Sequence, residues 1–148
     1  MLHFSAKGEY AVLAVLALSL HTDPGPLQVK AIAQKEKIPL RFLEQVMSQL
    51  KKKGLVESVR GPHGGYRLAR LPGQITFGEV LRAIEGQNAP SELSYNKPGE
   101  RGIDSMILRE IWHEANDVLQ NQLNAINFQD LCERKIEREG GNVLMFHI

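Results

Sequence analysis
Arg41, Glu44, Gln45 and Ser48 stand within one short segment and carry groups able to read base-pair edges. A guanidinium suits the O6 and N7 acceptors of guanine, a carboxylate accepts from the amino group of cytosine, and an amide pairs with adenine. Phe42, Lys51 and Lys52 share that segment. The lysines suit phosphate, whose contacts weaken steeply with added salt, or plain solvent. A second set, Arg60, Gly61, Pro62 and His63, opens the run Arg60-Gly-Pro-His-Gly-Gly65. Its glycines permit positive φ and close backbone approach, and its proline stiffens the tip. An arginine at a compact tip suits a narrow minor groove, where the negative potential is strongest. The plainer alternatives are a solvated helix face, with Arg41 and Gln45 as an ordinary i to i+4 pair, and a hairpin turn with an incidental arginine. A nucleotide-phosphate loop is not expected, because no Gly-Lys-Ser/Thr follows the glycines.

These side chains need elements to position them. Leu43, Val46, Met47 and Leu50 recur at steps of three and four, the apolar stripe of a helix over 38–53. Arg41, Glu44, Gln45 and Ser48 fall on its other side. Lys51 to Lys53 close the last turn, where cations suit the helix dipole, and Gly54 ends it. A shorter helix over 29–36 precedes it, with Lys37-Ile38-Pro39 as the break. Residues 55–59 and 66–68 flank the glycine-rich turn as a β-hairpin. Helix, turn, polar-faced helix and hairpin form a helix-turn-helix with a β-wing. Ahead of it, Ser5 caps a helix running to about Leu20, apolar nearly all round and therefore buried. Thr22-Asp-Pro-Gly-Pro26 is a loop, and Leu27 starts a short strand or packing segment. Leu71-Pro-Gly73 is a turn. Thr76-Phe-Gly-Glu79 matches a capping box, in which hydroxyl and carboxylate reciprocally satisfy backbone amides. Its helix ends at Gly86.

Residues 87–102 hold two prolines, two glycines and few apolar side chains, an exposed loop. The longest helical pattern follows, from Ile103 to about Asn124, which at 22 residues spans ~33 Å. Ile103, Ile107, Ile111, Ala115, Val118, Leu119 and Leu123 line one side. That stripe fits a partner helix from a second copy; the alternative is packing back on its own domain. Asn127 to Asp130 cap a last short helix to Glu139, after which Gly140-Gly141 release an apolar tail from Val143 to Ile148. The expected fold class is mainly α with a small β-hairpin wing: a winged helix-turn-helix domain over 1–86, the loop 87–102, and a dimerisation helix with C-terminal tail over 103–148.

The net charge of +1 on 148 residues hides an asymmetry. Residues 1–70 hold eleven Lys/Arg against five Asp/Glu; residues 71–148 hold seven against twelve. The basic half points to a polyanion, here double-stranded DNA, unless the imbalance is accidental surface charge. One cysteine, Cys132, excludes an intramolecular disulfide and any Cys-x-x-Cys pair. The longest apolar run, Tyr10 to Leu18, is far below the ~20 residues of a membrane span. No signal-peptide cleavage pattern follows it, so a cytoplasmic protein with no membrane association is expected. Glu110 and Glu114 flank His113 without a nucleophile at any recognisable spacing, which argues against an enzyme. The competing reading is a winged-helix module whose same surface docks protein.

The motifs Lys7-Gly-Glu-Tyr-Ala11, Ile38-Pro-Leu-Arg-Phe-Leu-Glu-Gln45, Leu50-Lys-Lys-Lys-Gly-Leu-Val56 and Ser58-Val-Arg-Gly-Pro-His-Gly-Gly-Tyr66 resemble the Rrf-type winged-helix transcription regulators. The likeness runs from Phe4 to about Leu131. It implies a homodimer on a palindromic operator, mostly as a repressor, with Arg41, Glu44 and Gln45 in the major groove and Arg60 in the minor groove. Arg41 replaces the small hydroxyl residue of the family's iron–sulfur cluster regulator, which points to a different operator. Many members hold such a cluster through three cysteines in the loop before the long helix. Residues 87–106 contain none here. Several thiolates are normally needed per cluster, so no cofactor and no metal are expected. A site combining Cys132 with His21, His113 or His147 of either subunit is the alternative, against a small buried hydrophobe near a helix end.

Overall fold
The computed structural model describes residues 4–86 and 102–146, the last five by backbone alone. Helix α1 spans Ala6–Leu20, α2 Val29–Glu36 and α3 Leu40–Lys52. Strands β1 (Val56–Val59) and β2 (Gly65–Leu68) form an antiparallel hairpin in which Glu57 faces Arg67 and Ser58 faces Tyr66. A 3₁₀ turn, Pro72–Gln74, leads to α4 (Phe77–Glu85). Helices α5 (Ile103–Asn124) and α6 (Phe128–Phe146) complete the chain. The expected loop over 87–102 lies outside the described residues except for Gly102.

Local chemistry explains these boundaries. Ser5 Oγ accepts from Gly8 N–H at 3.0 Å and starts α1. Between α2 and α3, Lys37 takes the left-handed conformation (φ 55°) and Ile38 N–H donates to Ala33 O at 3.0 Å, closing α2. Pro39, at φ −58°, then stands ahead of α3, which its fixed torsion suits. Gly54 leaves α3 at φ 74°, a backbone region that favours glycine. Leu27 pairs with Tyr66 in both directions, at 2.9 and 2.8 Å, adding a one-residue third strand to the hairpin.

One core serves all these elements. Ala11, Ala14 and Val15 of α1 meet Ile32 of α2, the α3 stripe Leu43, Val46, Met47 and Leu50, then Leu55, Val56, Ile75 and Val80. Phe128, at the start of α6, is fully buried in the same cluster. The aromatic rings of Phe4 and Phe77 stack at 5.8 Å, holding the start of the chain against α4.

Two local expectations need correction. Thr76 does cap α4, accepting from Glu79 N–H at 3.1 Å. The Glu79 carboxylate, however, turns to Arg70 at the exit of the hairpin. A guanidinium is the stronger partner. The reciprocal box forms instead ahead of α6: Asp130 N–H donates to Asn127 Oδ1 at 2.9 Å, and Asn127 N–H to Asp130 Oδ2 at 3.2 Å. That nucleation, with Phe128 seated in the core, carries α6 well past Glu139. The helix runs through Gly140 and Gly141 to Phe146, so the tail is helical up to that residue. Each glycine costs only about 1 kcal/mol relative to alanine, which propagation of an existing helix can absorb.

Candidate nucleic-acid interface
Helix α3 divides sharply. Leu43, Val46, Met47 and Leu50 are wholly inaccessible, and Arg41, Phe42, Glu44, Gln45, Ser48, Lys51 and Lys52 are all exposed. The buried stripe fixes the rotation of the helix about its axis, and so fixes which side chains face outward. Phe42 keeps 52% of its surface exposed, an apolar side chain the fold leaves unused. Pro39 supplies no side-chain cap to the first turn.

Arg41, Glu44, Gln45, Ser48 and Lys52 are brought together around one shallow surface groove. Phe42 and Lys51 do not line it. Two further residues do: Lys7, from the first turn of α1, and Gln49. The motif containing Lys7 was visible, but its convergence with α3 depends on α1 packing across α3, which local periodicity does not encode. Gln49 sits at the border of the buried stripe. Its Oε1 is buried without a hydrogen-bond partner among the described residues.

The wing presents Arg60, Gly61, Pro62 and His63, all exposed. Gly64 N–H donates to Gly61 O at 2.9 Å and closes the tip, while Gly61 adopts φ 115°. A side chain on Gly64 would strike Val59 O and lie 2.9 Å from Gly61 O. Arg67 is held across the hairpin by Glu57 at 3.1 Å. Neither Arg41 nor Arg60 makes an ion pair among the described residues.

Of the expected dimer stripe, Ile107, Ile111, Ala115 and Val118 are exposed, and Leu119 and Leu123 are half-buried. No described residue of α5 is fully buried. Its C-terminal end is tied to α4, where Arg82 Nη1 donates to Asn124 Oδ1 at 2.6 Å and to Gln120 Oε1 at 3.3 Å. Ile103 of the same stripe is exposed as well; Met106 and Leu108 are also exposed, so the apolar surface is broader than one stripe. Glu110, His113 and Glu114 are exposed on the same helix.

The family model for Rrf2, described as an iron-dependent transcriptional regulator, matches residues 4–134. The chain belongs to the Rrf2 family. It is similar to the HTH-type transcriptional regulator IscR of Cronobacter sakazakii, at 38% identity over 134 residues, covering 90% of this chain and 82% of the relative. Among solved structures it resembles CymR, the global cysteine regulator of B. subtilis, with a TM-score of 0.74 at 34% identity, covering 90% of this chain and 98% of CymR. It also resembles T. potens IscR, with a TM-score of 0.72 at 32% identity, covering 90% and 88% of the respective chains. This Rrf2 protein is therefore a DNA-binding transcriptional regulator of the mainly helical, winged type, and not an enzyme.

The family description raises iron, and the donor set of this chain does not fit an iron–sulfur cluster. Such clusters are held by several thiolates, and Cys132 is the single cysteine. It is buried as expected, close to the N-terminal end of α6. Burial pushes its thiol pKa up, Glu133 adds to this and Lys135 opposes it. That environment disfavours the thiolate a metal requires. Among the described residues, no three His, Cys, Asp or Glu side chains converge as a metal site. No described helix is long and apolar enough to cross a membrane.

Proposed function
We propose that this Rrf2 protein is a cytoplasmic repressor that binds a palindromic operator as a homodimer. Helix α3 enters the major groove, and the Arg60 tip of the wing lies in the adjacent minor groove. Arg41, Glu44 and Gln45 read base edges, while Ser48, Lys51 and Lys52 meet the phosphate backbone. Phe42 offers the apolar contact a thymine methyl accepts. Gly61, Pro62 and His63 shape the tip. The observation that carries this reading is the outward face of α3, exposed and largely polar opposite a fully buried stripe, with Arg41 and Arg60 unengaged by acidic partners among the described residues. The α5 surface around Ile107, Ile111, Ala115 and Val118, continued by Leu119 and Leu123, joins two copies. Regulation proceeds without an iron–sulfur cluster, since the chain lacks the thiolates for one.

Mobility shift with genomic fragments at two salt concentrations tests the reading. A specific complex that weakens steeply with salt is expected, and Arg60→Ala should cost about 1–3 kcal/mol of operator affinity. If no specific complex forms, the operator reading fails. If Arg60→Ala and Lys52→Ala both leave nucleic-acid affinity unchanged, the same surface docks a protein instead.

A further inference from the structure
Lys7 is an exposed cation in the first turn of α1, where the helix dipole disfavours positive charge. Glu9 shares that turn and Glu44 lines the same groove, but among the described residues Lys7 makes no ion pair with either. Its position is nonetheless held firmly. Ser5, the residue that caps α1, hydrogen-bonds the Glu85 carboxylate at the end of α4 through its hydroxyl, and through its N–H at 3.3 Å. The next turn is pressed just as closely onto α4, for a Cβ on Gly8 would lie 2.8 Å from Glu85 Oε1 and 3.1 Å from a Leu81 methyl carbon. A lysine without an ion pair, on backbone anchored to α4, thus stands at the groove that Arg41, Glu44, Ser48 and Lys52 also line.

We propose that Lys7 is a third point of DNA contact, supplied by α1 and directed at a backbone phosphate beside the base-reading face of α3. It adds affinity without sequence preference, because a phosphate carries no base identity. It also fixes how deeply α3 is seated, since α1 lies across α3 in the core. The inference rests on the DNA-binding reading above.

The test compares full-length wild type, Lys7→Ala and Lys7→Arg by fluorescence anisotropy. The probes are the footprinted operator and a scrambled duplex of equal length, over a series of salt concentrations. One lost phosphate contact should lower the slope of log K against log salt by ~0.9 per protomer. At about 0.15 M salt the same relation gives a ~5-fold loss per protomer, equal on both duplexes. Lys7→Arg should keep the wild-type slope, and both variants should melt with wild type. If wild type binds its operator specifically and Lys7→Ala keeps the full slope and affinity, the proposal is wrong while the DNA-binding reading stands. If Lys7→Ala weakens the operator alone, or if it lowers the melting temperature and Lys7→Arg does the same, the phosphate role is also wrong. If wild type itself shows no specific complex, both fall together.

Discussion

Gly65→Ala should loosen the wing from the body of the protein, and its cost can be worked from the geometry. Gly65 has φ 157°, and a Cβ there would strike Leu27 O, lie 2.7 Å from Leu27 C and 3.0 Å from Gln28 N. All three neighbours are backbone atoms, so no side chain can swing away. Relief requires Leu27 and the hairpin to separate, which breaks the reciprocal pair between Leu27 and Tyr66. Two such hydrogen bonds are worth about 2 kcal/mol together. If the chain holds its place, an unfavourable φ costs about 1–3 kcal/mol. By either route the cost is about 1–3 kcal/mol, or ~2–12 °C in melting temperature for a chain of this size. Gly25→Ala is the control: its Cβ would have no neighbour within 4 Å, so its effect should stay within about 0.5 kcal/mol. Thermal unfolding followed by circular dichroism measures both. Operator affinity of Gly65→Ala at a temperature where it remains folded should also fall, because the Arg60 tip is carried on the displaced hairpin. A melting temperature for Gly65→Ala matching that of Gly25→Ala would refute the claim that close approach at Leu27 seats the wing.

Three other outcomes are expected. Ile111→Glu should shift the protein from dimer to monomer in sedimentation velocity: Ile111 is 57% exposed, and losing its burial from both copies costs about 2–4 kcal/mol before any charge is desolvated. A dimer of undiminished affinity would exclude this face of α5 from the interface. Native Cys132 should react slowly with a thiol reagent at mildly alkaline pH and rapidly once unfolded. Its folded pKa is raised by burial, so its share of stability is intact below the unfolded pKa, near ~8.5, and declines as pH rises through the folded value; Cys132→Ala should remove that alkaline dependence. Protein purified without oxygen should show no visible absorption from a cluster, and a brown, iron-containing sample would overturn the cluster-free reading.

The α3 stripe, the turn at Lys37-Ile38-Pro39 and the wing glycines were legible because each is written in local spacing. Period three-to-four burial, a helix break and a glycine-rich turn need no knowledge of distant residues. The apolar face of α5 was legible for the same reason, although its width was underestimated, because Met106 and Leu108 fall outside the stripe that periodicity selects. What could not be read is where long-range partners lie. Glu79 has two possible partners, an amide three residues away and Arg70, and only the folded hairpin brings the second within reach. Phe128 joins the shared core beside a bridge between Thr76 and Asn127, segments far apart in sequence. Lys7 meets the α3 groove only through the crossing of α1 over α3.

The same limit hid the role of α4, which contributes no residue to the reading surface yet ties together the parts that must act in concert. Its first turn holds the wing exit through Glu79 and Arg70. Its last residue, Glu85, holds the start of α1 through Ser5, and Arg82 on the face between them holds the end of α5. Gly78 brings α4 and α5 close, for a Cβ there would strike Asn124 Oδ1 and lie 3.1 Å from Arg82 Nη1. Contacts therefore run without a break from the end of α5 through α4 to the hairpin exit and to the turn that carries Lys7. In a dimer joined along α5, the angle between two α5 helices would set the separation of the two wings. Partly exposed ion pairs contribute little to stability, so the value of Arg70–Glu79 is in direction: it ties the hairpin exit to the first turn of the helix that also holds the end of α5.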